Sequence, residues 1–217
     1  MSEEGQAHTR GCIRSFGELR RCLSADLYRY AGNDSPRSFC KHFVFTPGYK
    51  YTVWMRLCGY LKVSAYPLRV LYPLVKYILL RCRYKFGIAI PEYTEIGPGF
   101  FINRFGGIYF HGDVVLGANV NVTHGVVLGY LNRGKHQGAP VLGDEVFLAS
   151  GAKVIGRVNV GDRVAVGVNS VVTRDVENDA VVVGMPAKVI SHDGTAGYIN
   201  RKAVVFEQEL PVAQPAS

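Results

Sequence analysis

Two histidines near the middle of the chain, His124 in NVNVTHGVVLG and His136 in YLNRGKHQGA, carry side chains suited to moving a proton at neutral pH. An imidazole beside a hydroxyl can take its proton as the oxygen attacks an acyl carbon, a role typically worth ~10²–10⁴ in rate. A base of this kind needs an orienting partner, and Asp144 and Asp113 are the carboxylates expected to serve His124. The other reading of His124 is a histidine that stacks on a neighbour or bonds a loop carbonyl. His136 is the second candidate base. Arg104, His111 and Arg133 are assigned to the acceptor, with a structural role as the alternative for His111. His8, His42 and His192 receive no role.

These residues lie in a chain that counts in sixes. Leu142, Leu148, Val154, Val160, Val166 and Val172 are evenly spaced, and Val146, Ala152, Val158, Val164 and Ser170 keep the same period four residues on. Upstream, Ile90, Ile96, Ile102 and Ile108 share it, and Leu116, Val122 and Leu128 resume it after a two-residue slip. Neither an α-helix nor a flat alternating strand holds a period of six. Hexapeptide periodicity predicts a triangular β-solenoid from about residue 88 to 185, each coil burying its apolar face against its neighbours. The slip makes one coil twenty residues long, so Arg104 and His124, each two residues past a core position, fall in one column. Continued through the loop 130–139, that column is expected to reach Asp144. Ser150 and Val168 form a like pair one coil apart. Insertions project from one face of a solenoid, often the binding face. That would place Arg133, Lys135 and His136 over the acceptor or against a neighbouring subunit.

The N-terminal third must support this domain. Segments 15–30 and 49–62 show helical spacing; in a third, Leu68, Leu71, Tyr72, Val75 and Leu79 share a face opposite Arg69, Lys76 and Arg83. Pro73 would kink this helix or begin a new one. Three regions result: helical 1–87, solenoid 88–190 and a tail 191–217. Residues 1–87 carry 15 Lys and Arg against 5 Asp and Glu, while the remainder carries 10 against 12. The basic helices are expected to cap the open first coil, and peripheral contact with the inner face of a membrane is compatible with that. No apolar run has transmembrane length and no signal peptide is evident, so a cytoplasmic protein is expected. Five cysteines without CxxC spacing fit reduced thiols rather than a disulfide framework or zinc site.

The segments FGIAIPEYTEIGPGFFINRFGGIYFHGDVVLGANVNVTHGVVLG, PVLGDEVFLASGAKVIG and VAVGVNSVVTRDV, closing with GMPAKVI, resemble the serine acetyltransferase-like branch of the hexapeptide acyltransferases. The likeness reaches back through SADLYRY and PGYKYTVWMRL to about residue 24. It implies a mainly β, left-handed parallel β-helix with a helical N-terminus, a homotrimer with sites between subunits, and acetyl-CoA as cosubstrate. It further implies a pantetheine arm along Ser150 and Val168, with Thr173, Arg174 and Lys188 at positions that contact coenzyme A in relatives. Pairing with Asp175 or Glu177 is the other reading of Arg174. The family's Asp-His-Ala-Thr-Gly histidine is matched here by Arg104, and its essential aspartate by Ala89. A guanidinium stays protonated and cannot act as a base. The surroundings of His124 resemble the catalytic histidine position of sugar N-acetyltransferases with this fold, and some sugar acetyltransferases carry a histidine in the comparable loop.

The expected activity is therefore acetyl transfer to a hydroxyl, first that of a sugar in polysaccharide or glycolipid biosynthesis, second that of serine. A zinc-dependent hydratase like the carbonic anhydrases of this fold is the rival enzyme. The spacing of His111, His124 and His136 does not match its ligand pattern, and no metal is expected. A non-catalytic scaffold is the remaining class. No nucleic-acid module is recognisable.

Overall fold

The structure, a computed structural model, describes residues 9–203. His8 and the end of the expected tail, 204–217, lie outside the described residues. Among the described residues fifteen short strands form the three flat sides of a left-handed β-helix. Sheet A holds β1 (Ile88–Ala89), β4 (Ile108–Phe110), β7 (Val127–Gly129), β10 (Lys153–Ile155) and β13 (Val171–Val172). Sheet B holds β2 (Glu95–Ile96), β5 (Val115–Leu116), β8 (Val141–Leu142) and β11 (Asn159–Val160). Sheet C holds β3 (Phe101–Ile102), β6 (Asn121–Val122), β9 (Phe147–Leu148), β12 (Ala165–Val166), β14 (Val181–Gly184) and β15 (Ala187–Ser191). All pairings are parallel except β14 with β15. The six-residue period becomes core columns such as Ile102, Val122, Leu148 and Val166, none more than 1% exposed. Val146, Ala152, Val158, Val164 and Ser170 also point inward and are fully buried. Ser170 Oγ, the polar member, accepts the Gly184 N–H at 3.0 Å.

Ile102 pairs with Val122, which gives the twenty-residue coil. The extra residues are not between Ile108 and Leu116, where the spacing had put them. In sheet A it is Phe110, not Ile108, that pairs with Leu128, so the step of eight runs from Ile102 to Phe110. The corner Asn103–Gly107 therefore bulges, and Phe105 anchors it by an edge contact with Phe86 at 5.9 Å. Ile108 is nonetheless buried, which is why it mimicked the repeat.

Among the described residues four helices precede the solenoid: α1 (Phe16–Ala31), α2 (Pro36–Phe45), α3 (Pro47–Val63) and α4 (Tyr72–Phe86). A 3₁₀ turn, Leu68–Leu71, leads into α4, and Pro73 sits in the first turn of that helix, where no N–H is needed. The second helix was not expected from the sequence. Nor do the five apolar residues of the third segment share a face: Val75 and Leu79 are buried, but Leu68 and Leu71 are exposed in the turn. Side chains from α1 and α3 satisfy the open backbone edge of the first coil. Tyr51 Oη donates to Ile90 O at 2.8 Å and accepts from its N–H at 3.0 Å. Tyr30 does the same for Ile102, at 3.1 and 2.9 Å. Arg56 donates to Ile96 O and Gly97 O, both at 2.8 Å, and pairs with Asp26, which accepts the Phe100 N–H. All three sides of the edge are thus covered.

Residues 195–203 fold back over sheet C. Asn119 exchanges two hydrogen bonds with the backbone of Ala203, Asn121 Nδ2 donates to Tyr198 O, and Tyr198 stacks on Phe147 at 4.8 Å. Beneath them Arg29 donates to Asn119 and Asn121, and burial lowers its pKa to about 10. Cys12, Cys22, Cys58 and Cys82 are buried free thiols whose pKa burial pushes up, that of Cys58 to about 12.

Candidate active site

Successive coils turn from sheet C to sheet A by a residue in the left-handed region. Gly125 (φ 72°), Gly151 (φ 74°) and Asn169 (φ 54°) hold that position one above another. A Cβ on Gly125 would stand 3.3 Å from Gly151 Cα, so glycine is required there both by the backbone and by the close stacking. Each turn throws the preceding side chain outward. His124, Ser150 and Val168 form the resulting ladder, two residues past their paired core positions; in the enlarged first corner it is the Gly106 carbonyl that accepts the Gly125 N–H, at 2.8 Å, so Arg104, expected in one column with His124, begins the bulge instead of completing the ladder. The His124 carbonyl accepts the Gly151 N–H at 2.9 Å and Ser150 O accepts the Asn169 N–H at 2.9 Å, which fixes the backbone under both side chains.

His124 is exposed on this corner, and its Nδ1 lies 3.4 Å from Ser150 Oγ. With Nδ1–H donating to the serine oxygen, Nε2 keeps a free lone pair facing solvent, the tautomer a general base needs. Ser150, assigned to the donor groove, is thus the neighbour of His124 as well. Strand pairing brings this about, and spacing alone did not show it: Leu148 follows Val122 in sheet C, so Ser150 follows His124 where Asp144 had been expected.

Asp144 does not continue this column. The loop 130–139 leaves the end of sheet A and returns to the start of sheet B, where Leu142 pairs with Leu116. It therefore adds residues to one corner without adding a side. Asp144 lies on the corner between sheets B and C, where Oδ1 accepts the Ala118 N–H at 2.6 Å and its own N–H donates to Asp162 at 2.8 Å. Asp113 belongs to the loop-side corner, its carboxylate 3.5 Å from His111 Nδ1. Neither contacts His124.

His111 packs on Tyr130 at 4.8 Å between ring centroids, at the base of the loop. The loop closes as a small hairpin through reciprocal bonds between Leu131 and Gly138, and the His136 carbonyl accepts the Arg157 N–H. Arg133 and Lys135 are exposed at its tip, and His136 is half-buried. Within one chain, β7 separates His124 from Tyr130, a span on the order of 20 Å at full extension. The two candidate bases are therefore not brought together in one subunit. Thr173 and Arg174 occupy the loop-side corner after β13, both exposed, while Lys188 lies on β15 opposite Val183. The five donor-site candidates are thus spread over two corners and the last hairpin. Among the described residues Arg174 makes no ion pair; Asp175 instead accepts the Asn159 N–H at 2.7 Å, and Glu177 lies 3.7 Å from His192. A cation absent from the sequence-based site, Lys153, sits two residues past Gly151 and donates to its carbonyl at 3.0 Å.

A shallow groove lined by Val141, Gly143, Asn159, Asp175, Glu177 and Val189 lies along sheet B, the side opposite the His124 corner, and holds none of the predicted site residues. Among the described residues no three His, Cys, Asp or Glu side chains are grouped to hold a metal ion.

No protein-family model matches the chain. A serine acetyltransferase of Bacillus pumilus (strain SAFR-032) is 36% identical over 143 residues, 66% of this chain and 64% of that protein. One from Staphylococcus xylosus is 35% identical over 148 residues, 64% of this chain and 68% of that protein. Among solved structures, the Neisseria gonorrhoeae serine acetyltransferase in complex with serine superposes with a TM-score of 0.64 at 26% identity, over 79% of this chain and 69% of that one. The match to the B. pumilus relative spans just under two thirds of that protein's length.

Proposed function

This chain belongs to the serine acetyltransferase-like branch of the hexapeptide-repeat acyltransferases, and on that premise we propose that it is an acetyl-CoA-dependent O-acetyltransferase with His124 as general base. The observation that carries the assignment of the base is the exposed imidazole on the ladder corner, hydrogen-bonded through Nδ1 to Ser150. Nε2 takes the acceptor's hydroxyl proton while the oxygen attacks the thioester carbonyl. The C–S bond then breaks, and the coenzyme A sulfur takes the proton back from the imidazolium. The products are the acetyl ester and free coenzyme A, with no net proton change.

Serine is the acceptor favoured by the names of the relatives, ahead of the sugar hydroxyl expected first from the sequence; none of the relatives named above is described as acting on a glycan. One observation keeps the sugar as second reading. Arg104 and Ala89 stand where the resemblance places the serine enzymes' histidine and aspartate, and Arg104 rides on a corner enlarged by two residues. In the proposed homotrimer the His124 corner of one subunit meets a neighbour's loop. That arrangement gives Arg133 and His136 acceptor contacts and lets Thr173, Arg174 and Lys188 border the donor groove begun by Ser150 and Val168.

Release of coenzyme A thiol, measured with L-serine and in parallel with nucleotide sugars and oligosaccharides, tests both parts. Turnover of serine that His124→Ala abolishes, with coenzyme A binding retained, is the expected result. Turnover of a glycan alone reverses the choice of acceptor. Full activity in His124→Ala removes the base.

A further inference from the structure

The 3₁₀ turn and α4 present to solvent a surface that the acetyl-transfer reading does not use. Val75, Leu79, Cys82 and Phe86 face the first coil and are buried. On the opposite side of the helix, Tyr77, Leu80 and Tyr84 follow one another at intervals of three and four and are 59%, 39% and 77% exposed. Leu74 borders this stripe, and Leu68, Val70 and Leu71 extend it through the turn; all are exposed. Apolar groups scattered singly over a surface need no explanation, but a continuous stripe on one element does.

The charges around the stripe are all of one sign. Arg81 and Lys85 run along one edge of it, Arg83 along the other, and Arg69 lies in the turn, all exposed. Residues 64–87 contain no Asp or Glu. The nearby buried carboxylate, Glu92, is already held by Lys62, Lys76 and Tyr72.

We propose that this face docks on an anionic lipid surface. An apolar stripe flanked by cations, with tyrosines whose ring is apolar and whose tip is polar, matches the boundary between acyl chains and acidic headgroups. A second copy of the chain docked face to face is the poorer occupant. A two-fold contact sets the same residues against each other, and here that would bury cations against cations with no acid to neutralise them. The helix lies on the surface rather than across it, since among the described residues no helix is long and apolar enough to span a membrane. The proposal stands independently of which acceptor is acetylated.

Co-sedimentation of the full chain with vesicles of phosphatidylcholine alone, or of phosphatidylcholine with phosphatidylglycerol, tests it. Binding is expected to the anionic vesicles and at least tenfold weaker to the neutral ones, and to weaken as salt is raised. Each basic side chain near an anionic surface is worth about fivefold in partitioning, so the pair Arg81→Ser and Lys85→Ser should cost more than tenfold. Leu74→Ser with Tyr77→Ser should release the protein from vesicles while leaving its melting temperature within a few degrees. The proposal is overturned by equal binding to both vesicle types, by no binding to the anionic ones, or by variants that bind as the parent does. Self-association in the absence of lipid that the same substitutions abolish would also overturn it, and would assign the face to a second copy.

Discussion

His124 and Ser150 come together because a twenty-six-residue step separates them in sequence while only one coil separates them in space. If Ser150 orients the imidazole, Ser150→Ala should lower kcat by roughly tenfold, against the ~10²–10⁴ lost in His124→Ala, over and above any rise in KM for acetyl-CoA that its place in the donor groove brings. A raised KM for acetyl-CoA with kcat intact would instead make Ser150 a donor contact and leave His124 without a side-chain orienter from its own subunit. Steady-state kinetics on the two variants decides between them. The step from Ser150 to Val168 was legible, since each stands two residues past an apolar position of the repeat, but the whole column was not: Arg104 was expected beneath His124 where Gly106 holds the corner, and Asp144 was expected where Ser150 stands. Asp144 shares that spacing from Leu142 but sits on another corner, because a period of six looks the same on all three sides. Only strand pairing shows which side the chain rejoins after a loop.

At the level of elements, a solenoid is open at its first coil, and the helices close it through hydrogen bonds as much as through apolar contact. Arg56 is the centre of this cap, with its side chain 4% exposed and two carbonyls of the coil and the Asp26 carboxylate as partners. The ion pair and hydrogen bonds with Asp26 hold its proton more firmly than in a free arginine, despite burial. Removing one member of a buried pair leaves the other charge unpartnered, at a cost of ~3–5 kcal/mol. Arg56→Met should therefore lower stability by that order in chemical denaturation; a loss under 1 kcal/mol would mean the cap is held by apolar packing alone. The β-helix was readable because its period repeats over many coils, and capping could be inferred from the need to cover its edge. The residues that do the capping were not, because Asp26, Tyr30, Tyr51 and Arg56 are scattered along two helices and their side-chain hydrogen bonds go to the backbone of the coil or to each other. The strap 195–203 escaped for a similar reason: it is held mostly by backbone groups, two asparagines and one ring contact, none of which has a periodic trace.

For the whole molecule, the charge distribution ties stability to acidity at one point. Glu92, at the first loop-side corner, joins α3 through Lys62, α4 through Lys76 and Tyr72, and the solenoid through its own backbone. Burial alone would raise the pKa of its carboxyl, but the Lys76 hydrogen bond and the charges of Lys76 and Lys62 outweigh it and hold the group below its ordinary value. An acid with a folded pKa below its unfolded one stabilises the fold fully above the unfolded value, about 4.3, and loses that contribution as pH falls through the folded one. With a formal charge of +8 at neutral pH, protonating the remaining carboxylates adds repulsion in the same direction. Hydrogen bonds to a charged group contribute about 1.5–3 kcal/mol, and in a domain of this size 1 kcal/mol moves the melting temperature by roughly 2–4 °C. Glu92→Gln should thus melt several degrees below the parent at pH 7, and the gap should close as the pH is lowered below 4. Scanning both proteins by calorimetry across that range isolates the carboxylate from the general acid effect, since the latter acts on both. A gap that stays constant with pH would show that the substitution acts through packing, and that Lys62, Lys76 and Tyr72 do not depend on a charged partner to hold the helices to the coil.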